Sequence, residues 1–110
     1  MPCPFCEIAA RRIPANIVYQ DERATAFRDI HPRAPTHILI IPNQHVESLA
    51  TLDNPCLAGH LLDVARKVAD ELSLPGGYRV VTNVGPDGGQ TVFHMHLHLM
   101  AGRSMTWPPG

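Results

Sequence analysis

Residues 94–100 read His-Met-His-Leu-His-Leu-Met, with imidazoles at every second position of an otherwise apolar stretch. A strand sends successive side chains to opposite faces, whereas a helix turns each residue by about 100° and scatters such a set. Only the strand puts His94, His96 and His98 on one face and Met95, Leu97 and Leu99 on the other, against a core. A strand of this kind requires partner strands on either side and an apolar layer beneath it.

The rest of the chain supplies both. Ile17-Val18-Tyr19 and Ala24 to Asp29 are strand-like, separated by the polar turn Asp21-Glu22-Arg23. Thr36 to Ile41 is rich in β-branched residues and ends at Pro42. Two further strands are expected over Tyr78 to Asn83 and Val92 to Met100. Between them and the earlier strands lies a helix with Asn54 as N-cap and Pro55 at its first position. Leu57, Leu61, Val64, Val68 and Leu72 give it one apolar stripe, and Pro75-Gly76-Gly77 closes it. Phe5 to Arg12 reads as a short N-terminal helix broken by Pro14. The expected class is α+β: a mostly antiparallel sheet of about five strands with one long helix on a face. No repeat or linker divides the 110 residues, so residues 1–110 are read as a single domain.

Three imidazoles on one sheet face are costly unless they hydrogen-bond, bind something or react. Two chemistries fit. A His-x-His pair chelates a metal, or one imidazole attacks phosphorus, since its reference pKa near 6.5 leaves a free lone pair at neutral pH. The segment Asn83 to Thr91 leads directly into the histidines. Gly88 and Gly89 allow close approach of a ligand, and Gln90 and Thr91 add donors, as a phosphate-facing wall requires. Asp29, at a strand end, suits ribose hydroxyls or, more plainly, caps a turn.

Composition bounds the ligand. Nine basic against ten acidic residues give a net charge of −1, which disfavours a polyanion-coating protein and so a nucleic-acid partner, but leaves room for a small phosphorylated ligand. The longest apolar run, Ile38 to Ile41, is far too short to span a bilayer, and MPCPFCEI does not read as a secretory signal. A cytoplasmic protein with no membrane partner is therefore expected. Cys3 and Cys6 have the spacing of a zinc knuckle. They are otherwise reduced cysteines packed around Phe5. Cys56 reads as a packing residue, and His31 and His60 as exposed.

These motifs resemble the histidine triad (HIT) superfamily. His94 to Met100 is similar to its His-φ-His-φ-His-φ-φ signature, φ being apolar. Asp29 to Pro42, Asn83-Val84-Gly85, Gly88 to Thr91 and the ending Gly102 to Gly110 are similar to the Hint branch. The resemblance implies a homodimer that binds purine nucleoside monophosphates and hydrolyses adenosine 5′-phosphoramidates. It implies that His96 is the nucleophile, that His98 contacts phosphate or leaving group, and that His37 supports them, with His94 as first member of the triad. Asp29 and Ile30 would bind ribose and base, while Asn83, Gly89, Gln90 and Thr91, with His96 and His98, would hold ribose or phosphate. It further implies a structural zinc on Cys3, Cys6, His45 and His94, with no metal required for catalysis. Thr106 stands where close Hint relatives often carry histidine, a difference that bears on the leaving amine.

Three alternatives stay open at this point. The triad histidines could all be ligands of a catalytic zinc. The chain could hydrolyse dinucleoside polyphosphates. It could also be a nucleotide-binding regulatory module without turnover.

Overall fold

The computed structural model describes residues 3–110. Its elements are α1 (Pro4–Ala9), β1 (Ile17–Gln20), β2 (Ala24–Arg28), β3 (Thr36–Pro42), a 3-10 turn (Leu49–Thr51), α2 (Pro55–Leu72), β4 (Tyr78–Val81) and β5 (Leu97–Ala101). The strands form one five-stranded sheet in the order β1-β2-β3-β5-β4, with every neighbouring pair antiparallel.

The centre of the sheet is β3, because it is apolar on both faces and is buried from His37 to Pro42. Ile38 and Ile40 face α2 and pack with Leu57, Leu61, Val64, Val68, Leu97 and Leu99. Leu39 and Ile41 face the other side, with Phe5, Ile8 and Phe27. The two-residue period of the strand therefore divides the core into a large cluster under α2 and a smaller one under α1. α2 starts where expected: Asn54 Oδ1 accepts from the Leu57 N–H at 3.1 Å. It stops earlier than the Pro-Gly-Gly signal, at Ser73, which takes a left-handed φ of 52° as C-cap.

Register decides which side chains meet. Phe27 lies opposite Leu39, and Leu39 opposite His98. One row on the α1 face thus runs from an aromatic ring through an aliphatic side chain to an imidazole. His37 lies opposite Met100 and so reaches His98 diagonally on that same face.

The structure revises several expectations. β5 begins at Leu97, so His94 and His96 precede the ladder. The chain there is held by other means: the Met95 N–H donates to Val46 O, and Thr82 Oγ1 donates to His96 O at 2.9 Å. Met95 and Leu97 still enter the α2-side core, so the alternation survives without the strand. β4 ends at Val81, and α1 at Ala9, beyond which Arg11 takes a φ of 59°. Ser48 caps a 3-10 turn that no sequence signal had singled out. Cys56 is exposed. His60 is half-buried rather than exposed, with Nε2 at 2.7 Å from Asp21 Oδ2. Burial pushes the Asp21 carboxyl up, but hydrogen bonds from the Tyr19 hydroxyl, the Arg23 and Ala24 N–H groups and His60 outweigh it, leaving a pKa of about 2.

Candidate active site and metal cluster

The α1 face of the sheet carries a cavity of about 520 Å³. Pro4, Phe5, Ile8, Phe27 and Leu39 form its apolar side, and Asp29, Arg33, His37, Thr91, His96 and His98 its polar end. That size and that division match a pocket for a small ligand with one apolar and one polar part.

Hydrogen bonds assign the imidazole tautomers. The His96 ring places Nδ1 at 2.7 Å from the His94 carbonyl oxygen, which can only accept, so Nδ1 carries the proton. Nε2 then holds a lone pair. It has no hydrogen-bond partner, and no fully buried side-chain nitrogen or oxygen among the described residues lacks one, so this lone pair opens into the cavity. His37 Nδ1 accepts from the Arg33 N–H at 3.0 Å, which leaves the proton on Nε2. That Nε2–H donates to His98 Nδ1 at 2.9 Å, with an Asp29 carboxylate oxygen 3.5 Å from the same nitrogen. Neutral His98 is thereby left with its proton on Nε2. The His96 and His98 rings lie 4.9 Å apart, and Phe5 stands edge-on to His96 at 5.2 Å. An outward lone pair beside an outward N–H suits a nucleophile next to a hydrogen-bond donor.

Burial, reinforced by the neighbouring His96 and His37, pushes His98 down to about 4. Burial lowers His37 too, against the opposing pull of Asp29. Both are therefore neutral at physiological pH in the free protein. A His98 charged in advance, which acid catalysis on the leaving amine would call for, does not fit this environment.

His94 is placed apart from the other two histidines of the pattern. Its ring turns away from the cavity, with Nε2 at 2.8 Å from Pro42 O and Nδ1 toward Cys3 and Cys6. Only its carbonyl serves His96. The three histidines therefore do not converge on one metal, and the triad-zinc alternative is removed by geometry.

Cys3, Cys6, His45 and His94 instead offer ligand atoms all within 4.8 Å of one another. Cys3 Sγ lies 3.3 Å from His94 Nδ1, and Cys6 Sγ lies 3.5 Å from that nitrogen and 3.4 Å from His45 Nδ1. A tetrahedral ion with Zn–S near 2.3 Å and Zn–N near 2.0 Å has S···N edges of about 3.5 Å. The donor set and its spacing both fit such an ion, and the cysteines are free.

The loop before the histidines is built largely for itself. Gln90 Oε1 accepts from the Gly85 N–H at 3.0 Å, and its Nε2 donates to Glu47 O at 2.7 Å and Val92 O at 3.1 Å. That side chain braces the loop and has no N–H left to donate to a phosphate. A Cβ on Gly88 would come within 2.2 Å of Val84 O, so this glycine answers a main-chain approach, while Gly89 takes a φ of 80°. Asn83 donates to Gly88 O at 2.7 Å and borders a second groove beyond His98, lined also by Arg33, Arg79 and Arg103. Asp29, Ile30, Thr91, His37, His96 and His98 meet at the first cavity, whereas Asn83, Gly89 and Gln90 do not line it. Asp29 also caps its turn, accepting from the His31 N–H at 2.8 Å.

Sequence reading missed Phe5, Ile8, Phe27 and Leu39 as cavity wall, and the Arg33 N–H as a tautomer-setting donor. Strand parity relates Leu39 to His37, but Phe27 needs the β2–β3 register and α1 needs the tertiary fold.

Fold and site together define an α+β protein with imidazoles at the polar end of an apolar cavity. The HIT domain family matches residues 10–105, and the chain belongs to that family. An uncharacterized HIT-like protein of Synechococcus elongatus is 52% identical over 108 residues, 96% of this chain and 95% of its own. A 14 kDa zinc-binding protein of Zea mays is 50% identical over 113 residues, 99% of this chain and 88% of its own. The crystal structure of a HIT family hydrolase from Legionella pneumophila superposes with a TM-score of 0.95 at 48% identity, covering 99% of this chain and 100% of that one.

Proposed function

We propose that this HIT family hydrolase is of the Hint type, binding purine nucleoside monophosphates and cleaving adenosine 5′-phosphoramidates through a nucleotidyl-His96 intermediate. The observation that carries the reading is the His96–His94 hydrogen bond, which leaves the Nε2 lone pair in the cavity. Base stacks on the apolar side near Phe5 and Ile30, ribose hydroxyls reach Asp29, and the phosphate sits beside Thr91, His96 and His98. His96 Nε2 attacks phosphorus, the phosphorus–nitrogen bond breaks, and the amine leaves with a proton from His98. The negative phosphate beside His98 raises its proton affinity. The added proton is taken from solvent with the substrate onto Nδ1, and the His37 Nε2–H that occupied that lone pair turns to the Asp29 carboxylate 3.5 Å away. Water then cleaves the bond between His96 and phosphorus, releasing AMP.

Zinc is the ion we assign to Cys3, Cys6, His45 and His94. The fit of the tetrahedron and the name of the maize relative support it. Bound there it would tie α1 to the segment before β5. No catalytic step passes through it, because His94 turns its ring away from the cavity.

A homodimer built from one domain per chain is supported by the unpaired edge of β4, where Tyr78 and Val80 are exposed, and by Trp107, 84% exposed in the C-terminal tail. A cytoplasmic setting is consistent with free cysteines, and no helix among the described residues is long and apolar enough to cross a membrane. One observation favours a second leaving group: Arg33, Arg79 and Arg103 beyond His98 suit the anionic chain of a dinucleoside polyphosphate.

The test is denaturing intact mass of wild type and His96→Ala, each with adenosine 5′-phosphoramidate and a brief cold acid quench, with AMP measured in parallel. A gain of one AMP in wild type alone, with turnover lost in the variant, is the expected result. Equal AMP formation by the variant would remove His96 as nucleophile. Binding without turnover in either protein would favour the regulatory module.

A further inference from the structure

Phe5 belongs to two sites at once. It lies between Cys3 and Cys6 in the chain, and its ring is edge-on to His94 at 5.9 Å, to His96 at 5.2 Å and to Phe27 at 5.4 Å. With Pro4 and Ile8, it brings α1 to the apolar side of the cavity. α1 has six residues, far fewer than the roughly 12–15 an isolated helix needs, so its position depends on what holds it. It is held by burial of Phe5 and Ile8, by Gln20 Nε2 donating to Ala9 O at 2.8 Å, and by the two thiols facing His94 and His45. His94 makes a second connection, with its ring in the metal cluster and its carbonyl on His96 Nδ1 at 2.7 Å.

We propose that the Cys3/Cys6/His45/His94 cluster and the cavity are thermodynamically linked, so that zinc in one tightens purine nucleotide binding in the other. Phe5 and His94 are the positioning residues of this link. The inference rests on the zinc and nucleotide readings above and goes beyond both. An ion on the cysteines fixes α1 and so completes the wall against which a base packs. A base in the cavity presses on Phe5 and Ile8 and holds the cysteines where the ion needs them. Linkage makes the two effects equal: whatever factor zinc adds to nucleotide affinity, nucleotide adds to zinc affinity.

The experiment needs no turnover. Zinc affinity of the full chain is measured by competition with a chromophoric chelator, without and with saturating AMP, at buffered free zinc. AMP affinity is measured by calorimetry with the zinc-loaded and the zinc-free protein. We expect both affinities to rise by the same factor, about tenfold, within the roughly 5- to 150-fold range typical of such couplings. Phe5→Ala brings the coupling factor close to one, whatever it does to the affinity for either ligand alone, and Phe5→Leu restores most of it. If both ligands bind wild type with no mutual effect, the link is overturned and both underlying readings stand. AMP binding without zinc binding overturns the link together with the zinc assignment. Absence of AMP binding in either metal state overturns it together with the nucleotide reading. A full coupling factor in Phe5→Ala removes Phe5 from the mechanism.

Discussion

His94 and His96 are two residues apart, start from the same sequence pattern and end in opposite environments. His94 is fully buried, its ring committed to two sulfurs and a carbonyl. His96 is nearly as buried, yet it keeps one nitrogen without a partner at a cavity wall. The first environment suits a ligand whose lone pair is engaged, the second a nucleophile whose lone pair is kept free. Burial alone does not separate the two roles. What separates them is where the second ring nitrogen points.

The largest expected effect isolates that difference. His96→Ala should lower phosphoramidate hydrolysis by at least about 10³-fold, as loss of a covalent nucleophile does, while leaving one zinc per chain by metal analysis. Cys6→Ser should do the reverse. It should abolish zinc binding and remove the stabilisation the ion gives, about 4 kcal/mol at free zinc a thousandfold above its Kd, read as a fall in Tm that added zinc does not recover. If Cys6→Ser lost turnover as completely as His96→Ala while remaining folded, the two regions would not be separable as described.

His37→Ala should sharpen the comparison from the active-site side. It removes the donor that fixes His98 and should cost roughly 10²-fold in kcat with little change in zinc content, by steady-state kinetics and metal analysis. His37→Gln, which keeps an N–H donor, should recover part of that loss.

The smallest effect is on stability against pH. Burial, with His96 and His37 nearby, holds His98 at about 4, whereas the unfolded chain takes up its proton near 6.5. The unfolded state therefore binds the proton first as pH falls, and stability present above about pH 6.5 drains away toward pH 4. Thermal unfolding between pH 7 and 4.5, with a chelator present so that metal release plays no part, should show Tm falling less steeply in His98→Asn than in wild type. Equal slopes would mean that the His98 environment is more open than its contacts imply.

Much of the fold was legible because the relevant periods are local. The long helix could be placed from Asn54, Pro55 and its apolar stripe, and β3 from its β-branched run closed by Pro42. The ends of β4 and β5 were not legible, since Met95 and His96 are held by Val46 and Thr82, residues remote in sequence. Gln90 illustrates a related failure. A polar residue in a glycine-rich loop looks the same in sequence whether it faces a ligand or, as here, turns inward to Gly85, Glu47 and Val92.

The sequence by itself determined that three histidines share a side opposite Met95, Leu97 and Leu99, because alternation is a property of the backbone. It also determined that two cysteines stand close enough to share a ligand, because a two-residue gap cannot carry them far apart. The histidine-triad resemblance implied that His94 goes with the cysteines and His96 and His98 with Asp29 and His37, but the physical cause of that division is tertiary. That choice depends on β3 pairing with β5 and on α1 lying over the sheet. Those contacts join residues up to 91 positions apart, and no local pattern encodes which nitrogen of an imidazole finds a partner at that distance.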